Sequence, residues 1–506
     1  SHVWCQVEYR TAEFNQEFVG RLVSAYQALI GGVLRNPNRE LRSYSLASAL
    51  YCQSVITGNS LCGQFGKEPL PFLNRFSLIA RTYPQQTAVV CEGKSMTYQE
   101  LDEQSDWVAR RIRLAGIPVH SSIAVCMHSS IECVVAILGI LKAGCCYVPI
   151  DTELPAERKE FILKDAACRF LFDEQCFPYG KVLEDISSVD VTEALQDCAY
   201  VIYTSGTTGQ PKGVPVKQMA LAHLLEVESS RLGLSAESRV LLFSNISFDA
   251  SVLQLFPALS VGATLFVATS QERKDPRLIA DLMESQRITW AAFPPAFLAL
   301  LPHRRFQALV TLVIGGESAA MDVVEYWREG RVLINAYGPT ENTVDTTLCL
   351  VDGAFESNDI GLLLPGVSGY VLDECLNIVP EGMVGELYIG GLRLTSGYLN
   401  RPELNQEKFI ENPYVTPEDK AKGINTRLYK SGDLVRRRSD GHLIFMGRTD
   451  SQVKLRGFRV ELAEIESLLQ QCVGVQHALV EVRKKDKQEE LVAFVQFDKQ
   501  ASSDVL

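Results

Sequence analysis

Apolar positions along this chain follow two different periods. Phe18, Leu22, Tyr26 and Leu29 recur three to four residues apart, which predicts an amphipathic helix ended by Asn36-Pro37-Asn38. Ahead of it, 7–9 reads as a short strand. Residues 42–70 carry little core and include Gly58, Asn59, Gly63 and Gly66, so they read as a linker. From 71 to about 445, short apolar runs stand at 87–90, 123–127, 169–172, 200–203, 240–243, 264–268, 310–314 and 332–335. Stretches of helical period separate them. Repeated strand–helix–strand text predicts an α/β fold with largely parallel sheets. Around 365–400 the helical period fades, and 385–391 with its β-branched neighbours predicts a β-rich subdomain. After Asp450 the pattern restarts at 452–460. An amphipathic helix (Ala463, Ile465, Leu468, Leu469) follows, then strand-like runs at 478–483 and 490–497, a small α+β unit behind a hinge. No internal repeat or low-complexity tract interrupts the pattern.

Composition narrows the function classes. The chain has 506 residues, 46% hydrophobic and 22% charged, which describes folded text long enough for several domains. Lys+Arg 49 against Asp+Glu 61 leaves −12, the wrong sign for a general nucleic-acid or anionic-membrane binder. The longest apolar run, 134–141, stops at Lys142, far short of a membrane span. The 14 cysteines form no CxxC pair, and with 7 histidines there is no HExxH. They read as reduced, mostly buried thiols of a cytoplasmic protein.

Three stretches carry chemistry. Tyr203 to Gly213 (YTSGTTGQPKG) follows an apolar strand and offers small hydroxyls, glycine N–H groups and Lys212 to phosphate oxygens. Pro211 sits where a Walker A loop requires Gly, so it is a different phosphate loop. Asn335-Ala336-Tyr337-Gly338-Pro339-Thr340-Glu341 ends another strand. Gly-Pro sets a turn there, Tyr337 offers a ring face to a base, and Glu341 suits a hard cation such as Mg²⁺. Tyr429 to Leu434 contains Asp433, a carboxylate suited to two ribose hydroxyls.

Taken together, MTYQEL (96–101), LKAGCCYVPID (141–151), YTSGTTGQPKG (203–213), FDAS (248–251), NAYGPTE (335–341), GELYIGG (385–391), YKSGDL (429–434) and GRTDSQVKLRGFRVELAEIE (447–466) stand in a family order. The chain resembles the adenylation domains of non-ribosomal peptide synthetases, within the adenylate-forming acyl-CoA synthetases and luciferases. Cys145 and Cys146 for Gly-Ala, Ser431 for Thr and Ala463 for Gly are the departures. The resemblance implies a large core of parallel and mixed sheets sandwiching helices, a β-rich subdomain, and a small α+β C-terminal subdomain. It divides the chain into a condensation-domain tail (1–45), a linker (46–70), the adenylation core (71–449) and a partial C-terminal subdomain (450–506) after hinge Asp450.

The implied reaction has two steps. A carboxylate attacks the α-phosphate of ATP, and the adenylate is then attacked by the phosphopantetheine thiol of a carrier domain. Mapped by motif, Thr204, Ser205, Gly206, Thr207, Thr208, Gly209 and Lys212 enclose phosphates, and Glu341 holds Mg²⁺. Asn335, Ala336 and Tyr337 border adenine and Thr340 the α-phosphate, and Gly315, Gly316 and Gly338 also belong to the ATP/AMP site. Asp433 takes the ribose. Phe445 stands where the family usually has Tyr beside the nucleotide, and Arg448 follows. Thr204, Lys212, Thr340 and Glu341 form the catalytic set. In a rotated state the 454–457 loop approaches the site.

Asp249 pairs with the substrate ammonium in amino-acid-activating relatives. A buried carboxylate is costly without a partner, a physical reason to expect a cationic ligand. The alternative is an N-cap or turn Asp beside Ser251. The implied side-chain pocket comprises Asp249, Ala250, Leu253, Ala292, Val313, Gly315, Ala336, Val344 and Asp345. Small residues at 292, 315 and 336 leave room for a large side chain, and Asp345 at the floor suggests a polar or cationic end. The family's C-terminal Gly-Lys motif and the carrier domain do not occur before Leu506, so the text reads as a fragment of a larger synthetase. Partners implied are an amino acid, the carrier and condensation domains and a small helper protein, with no nucleic acid and no membrane. Two rivals stand beside this reading, an acyl- or aryl-CoA ligase of the same fold and a catalytically silent nucleotide-binding module.

Overall fold

The computed structural model describes residues 6–11, 16–65, 67–183, 191–206, 210–353, 355–450, 452–455, 458–485 and 488–497. Each of the eight strand-like runs between 87 and 335 falls on a strand to within one residue, and the longest apolar run, 134–141, lies in a helix. Two sheets dominate. The first has six strands, in the spatial order 181–182, 170–173, 122–126, 146–149, 198–204, 212–217. Its centre is parallel and both edge pairings are antiparallel. The second has a parallel run, Thr87–Cys91, Thr264–Val267, Arg239–Leu242, Trp290–Phe293, Thr311–Gly315 and Val332–Tyr337. It continues through antiparallel Thr347–Leu350 and Asp359–Leu363 into the β-rich section Val367–Leu372, Val384–Gly391, Arg427–Arg437 and Leu443–Arg448.

Helices Phe72–Thr82, Tyr98–Leu114, Ile131–Lys142, Gln218–Arg231 and Ala250–Val261 pack between the two sheets, in one buried cluster that draws on both. Tyr98–Leu114 begins at a capping box: Thr97 Oγ1 accepts from Glu100 N at 3.2 Å, and Glu100 Oε2 accepts from Thr97 N at 2.7 Å. Ile131–Lys142 is buried on nearly all sides, which explains why its text is apolar without a polar face. Gly139 lets it approach the neighbouring helix, since a Cβ there would stand 2.4 Å from Val108 Cγ1.

Four readings need correction. No strand occurs at 7–9. The presumed linker contains the helix Ala49–Gly58 and is anchored to the β-rich section. Asn59 exchanges two hydrogen bonds with the Gly369 backbone, at 2.7 and 3.1 Å, and Asp419 accepts from the N–H groups of Leu61 and Cys62. The single run 452–460 is two antiparallel strands, Gln452–Leu455 and Phe458–Glu461. The helix Gln16–Arg35 forms as expected, yet most of its apolar stripe faces outward: Phe18, Leu22 and Tyr26 are 43%, 48% and 53% exposed, while Leu29 is half-buried. Its inward contacts are Val19, Ala25 and Arg21, the last 3.9 Å from Glu381.

The small unit contains the helix Leu462–Gln470 and a long antiparallel pair, Val475–Lys485 with Gln488–Phe497. Arg158 of the helix Ala156–Asp165 reaches Glu464 at 2.9 Å and ties this unit to the core. Every described cysteine is a free thiol; Cys375 and Cys472 are exposed. Among the described residues no helix is long and apolar enough to cross a membrane.

Candidate active site

The predicted site residues come from strand ends and the loops after them, from the start of the helix Ala250–Val261, and from within the strands Thr311–Gly315, Arg427–Arg437 and Leu443–Arg448. Strand Cys198–Thr204 enters the phosphate loop and Lys212–Lys217 leaves it. Gly206 turns tightly against the returning chain, because a Cβ would lie 2.1 Å from Gln210 O. Thr207, Thr208 and Gly209 lie outside the described residues. Thr204 Oγ1 is buried with no hydrogen-bond partner among the described residues. A hydroxyl held in that way beside a loop of N–H groups fits a phosphate oxygen.

Lys212 is buried rather than extended into solvent. Its Nζ donates to Tyr398 Oη at 3.3 Å, lies 4.6 Å from that ring's centroid, and stands 3.6 Å from Glu341 Oε1. Tyr398 Oη donates to the same carboxylate oxygen at 2.6 Å. Glu341 is fully buried, so this charge is held by an ammonium and a phenol. Carboxylate and hydroxyl oxygens are the hard donor set that Mg²⁺ takes, and the arrangement fits that ion at Glu341.

One residue earlier, Thr340 Oγ1 donates to Asp249 Oδ2 at 2.6 Å. Asp249 occupies the N-cap position of Ala250–Val261, but its side chain makes no capping hydrogen bond. The capping explanation for this Asp therefore lapses. Leu253, Ala292, Val313, Ala336 and Val344 all belong to the buried cluster between the two sheets. Gly315 cannot carry a side chain: a Cβ would meet Ala336 O at 2.6 Å. Asp345 is buried and close enough to Asp249 for the two charges to interact. The turn that delivers Asp345 is strained, with Thr343 and Val344, both β-branched, at φ 57° and 72°. Gly338 admits this turn, since a Cβ there would stand 2.1 Å from Val344 O.

On the other side, Asp433 accepts from the Tyr337 hydroxyl and from Arg448 Nη1. Arg448 also clasps hinge Asp450, through Nε at 2.8 Å and Nη2 at 3.0 Å. Burial pushes the Asp450 carboxyl up, but the Arg448 hydrogen bonds and charge outweigh it and hold the group below its usual range. Asn335 Nδ2 donates to Asp359 O at 2.8 Å, and Phe445 lies on the strand that ends at Arg448. Gly316 follows the strand Thr311–Gly315 at φ 89°. The 454–457 loop is described only in the backbone of 454 and 455.

Sequence reasoning missed Tyr398, Glu228 and Arg393. Arg393 and Glu228 are fully buried and paired at 2.8 Å. Both left a signal. Arg393 is a lone charge in the apolar text of 387–399, and Glu228 falls on the helical face marked by Leu221, Leu224 and Leu225.

A second titratable cluster, Cys349, Asp359 and His442, could in principle hold a metal ion. Asp359 is already served there by His442 Nδ1 at 2.9 Å and by Gly361 N at 2.8 Å. Arg438 approaches its other oxygen at 3.4 Å, so both oxygens of this carboxylate already face donors.

Motif-bearing loops set on a core of two sheets are the architecture of an adenylate-forming enzyme. The AMP-binding enzyme family matches residues 76–399, and the chain belongs to that family as an adenylation domain of the non-ribosomal peptide synthetase kind, by class an amino-acid adenylating ligase. It is 35% identical over 510 residues to bacitracin synthase 3 of Bacillus licheniformis, covering 96% of this chain and 8% of that protein. It is 33% identical to tyrocidine synthase 2 of Brevibacillus parabrevis, covering 96% of this chain and 14% of the relative. The chain thus spans about a tenth of the length of such relatives. Among solved structures, a four-domain nonribosomal peptide synthetase bound to AMP and glycine aligns with TM-score 0.73 and 28% identity, over 96% of this chain and 37% of that one. A protein containing adenylation and PCP domains, bound to a vinylsulfonamide inhibitor, aligns with TM-score 0.75 and 26% identity, over 86% and 78%.

Proposed function

We propose that this domain activates an L-amino acid with ATP and passes it to a carrier domain for peptide synthesis. In the first step a carboxylate oxygen bonds to the α-phosphorus as the bond to the departing pyrophosphate breaks, giving aminoacyl-AMP. In the second, the phosphopantetheine sulfur bonds to the acyl carbon and AMP leaves. The observation that carries this reading is the adjacent pair Thr340–Glu341. Thr340 holds Asp249, the ammonium anchor, and Glu341 meets Lys212, the cation of the phosphate loop. One peptide step thereby fixes the amino-acid end relative to the phosphate end, which is the positioning a two-anion reaction needs. Mg²⁺ at Glu341 supplies positive charge against the phosphates. Thr204 and Lys212 receive phosphate oxygens, and Asp433 the ribose.

The side-chain pocket suits a large residue with a polar or cationic end, because Ala292, Gly315 and Ala336 line it and Asp345 lies at its floor. The partners of this reading are the carrier and condensation domains of one synthetase, with a small helper protein in addition. The reading is supported by multidomain relatives and by the AMP and glycine named for one structural neighbour. Free thiols throughout the described residues favour a cytoplasmic setting. ATP–pyrophosphate exchange across the twenty amino acids tests the substrate side. Strongest exchange with a large polar residue is expected; strongest exchange with Gly, Ala or Val would refute the large pocket.

A further inference from the structure

Asp345, assigned above to the pocket floor, belongs to a buried charge cluster whose other members, Glu228 and Arg393, the adenylation reading does not use. Glu228 comes from the helix Gln218–Arg231, Asp345 from the strained turn, and Arg393 from the segment after Val384–Gly391. Glu228 and Arg393 have no exposed surface and Asp345 is 5% exposed. Arg393 Nη1 donates to Glu228 Oε1 at 2.8 Å and to the Asp345 carbonyl at 3.3 Å, and Nη2 to the His223 carbonyl at 3.5 Å. Four further polar atoms here, Asp345 Oδ2, Glu228 Oε2, Arg393 Nε and His223 Nδ1, have no partner among the described residues.

We infer that Asp345, Glu228 and Arg393 form a charge-balanced floor that selects a neutral hydrogen-bonding end group on the substrate over a cationic one. This rests on the adenylation reading above and narrows its substrate class.

Two carboxyls and one guanidinium are buried together, and an uncompensated buried charge is costly. Neutrality requires one proton on the carboxyl pair. The Glu228 and Asp345 side chains are within hydrogen-bonding reach of each other, so a single shared proton can bridge the two carboxyls. Burial, then the Glu228 charge and that hydrogen bond, push the Asp345 carboxyl well up against the opposing pull of Arg393. Asp249 faces Asp345 and pushes the same way. His223 contributes no charge: burial, then Arg393, bring it down to about 4. A carboxamide, urea, hydroxyl or indole N–H can enter with the proton in place. An ammonium or guanidinium must expel that proton to keep the floor neutral, so its binding weakens as pH falls. A merely structural staple between three segments carries no such dependence.

The test uses non-hydrolysable aminoacyl-sulfamate analogues of the adenylate in two size-matched pairs, glutamine with ornithine and citrulline with arginine. They are titrated calorimetrically into the 506-residue chain in buffers of different ionisation enthalpy. The expected result near neutral pH is at least about tenfold tighter binding of the neutral member of the better-fitting pair. The cationic member should release one proton and gain affinity as pH rises. Arg393→Leu leaves an excess negative charge and should reverse the order, and adding Glu228→Gln should restore it. Equal affinities, or a preference for the cation without proton release, overturn the inference and leave the adenylation reading standing. Failure of all four analogues to bind overturns that reading and this inference with it. If Arg393→Leu does not fold, the proton count on the unmodified chain decides alone.

Discussion

Tyr398 holds two charges at once, since its hydroxyl donates to Glu341 and accepts from Lys212. Tyr398→Phe keeps the ring under Lys212 and removes that hydroxyl. A hydrogen bond to a buried charged group contributes about 1.5–3 kcal/mol, so the variant should unfold at lower urea and exchange pyrophosphate more slowly. Gly206→Ala should act more locally. Its Cβ meets Gln210 O at 2.1 Å, so the loop must open, and ATP affinity should fall about tenfold or more with little change in thermal stability. His223 gives a pH-dependent prediction. Its folded-state pKa, about 4, lies below the ordinary 6.5, so the unfolded chain binds the extra proton between these values. Its contribution is present above about pH 6.5 and is lost as pH falls toward 4. Urea unfolding of His223→Gln across that window should show a shallower loss than the parent. The motifs were legible in the sequence because each is contiguous. Their pairings were not: Thr340 with Asp249, and Tyr398 with Glu341, join residues far apart in the chain, and no local pattern encodes them.

At the scale of elements, strand positions were legible wherever burial made a run uniformly apolar, and faces were not. The outward stripe of Gln16–Arg35 follows the helical period faithfully, but period alone does not say which side meets the core. The presumed linker failed for a related reason. Its anchors are polar and distant, Asn59 to Gly369 and the Leu61 and Cys62 amides to Asp419, so glycine-rich text concealed a docked element. Asp419→Ala would strand those amides in a buried setting and should cost about 2–3 kcal/mol. Hydrogen exchange should then quicken across 49–62 before it does in the core strands. Leu22→Lys with Tyr26→Lys tests the helix. Both residues are exposed, so stability should change by less than about 0.5 kcal/mol, while self-association at high concentration should drop.

Across the whole molecule, net charge is −12 while the site gathers cations. Lys212 and Arg448 achieve this by being clamped to specific carboxylates, not by a general field. The core and the small unit meet through Arg158 and Glu464, side chains 28% and 12% exposed. A partly exposed pair contributes about 1 kcal/mol or less, so Arg158→Ala should raise protease sensitivity near Asp450 by no more than about fivefold. That weakness is what the hinge implied by the resemblance at Asp450 would require.

The buried pair Arg393–Glu228 has a consequence for anyone rebuilding this domain. Neither residue is among the nine pocket positions, and they arrive from separate elements of the core. On the inference drawn above, copying those nine positions into another scaffold would carry the shape of the cavity and leave out two of the three charges at its floor. Grafts that swap the nine alone should therefore inherit size preference but not charge preference, and the smallest portable unit includes Glu228 and Arg393 as well.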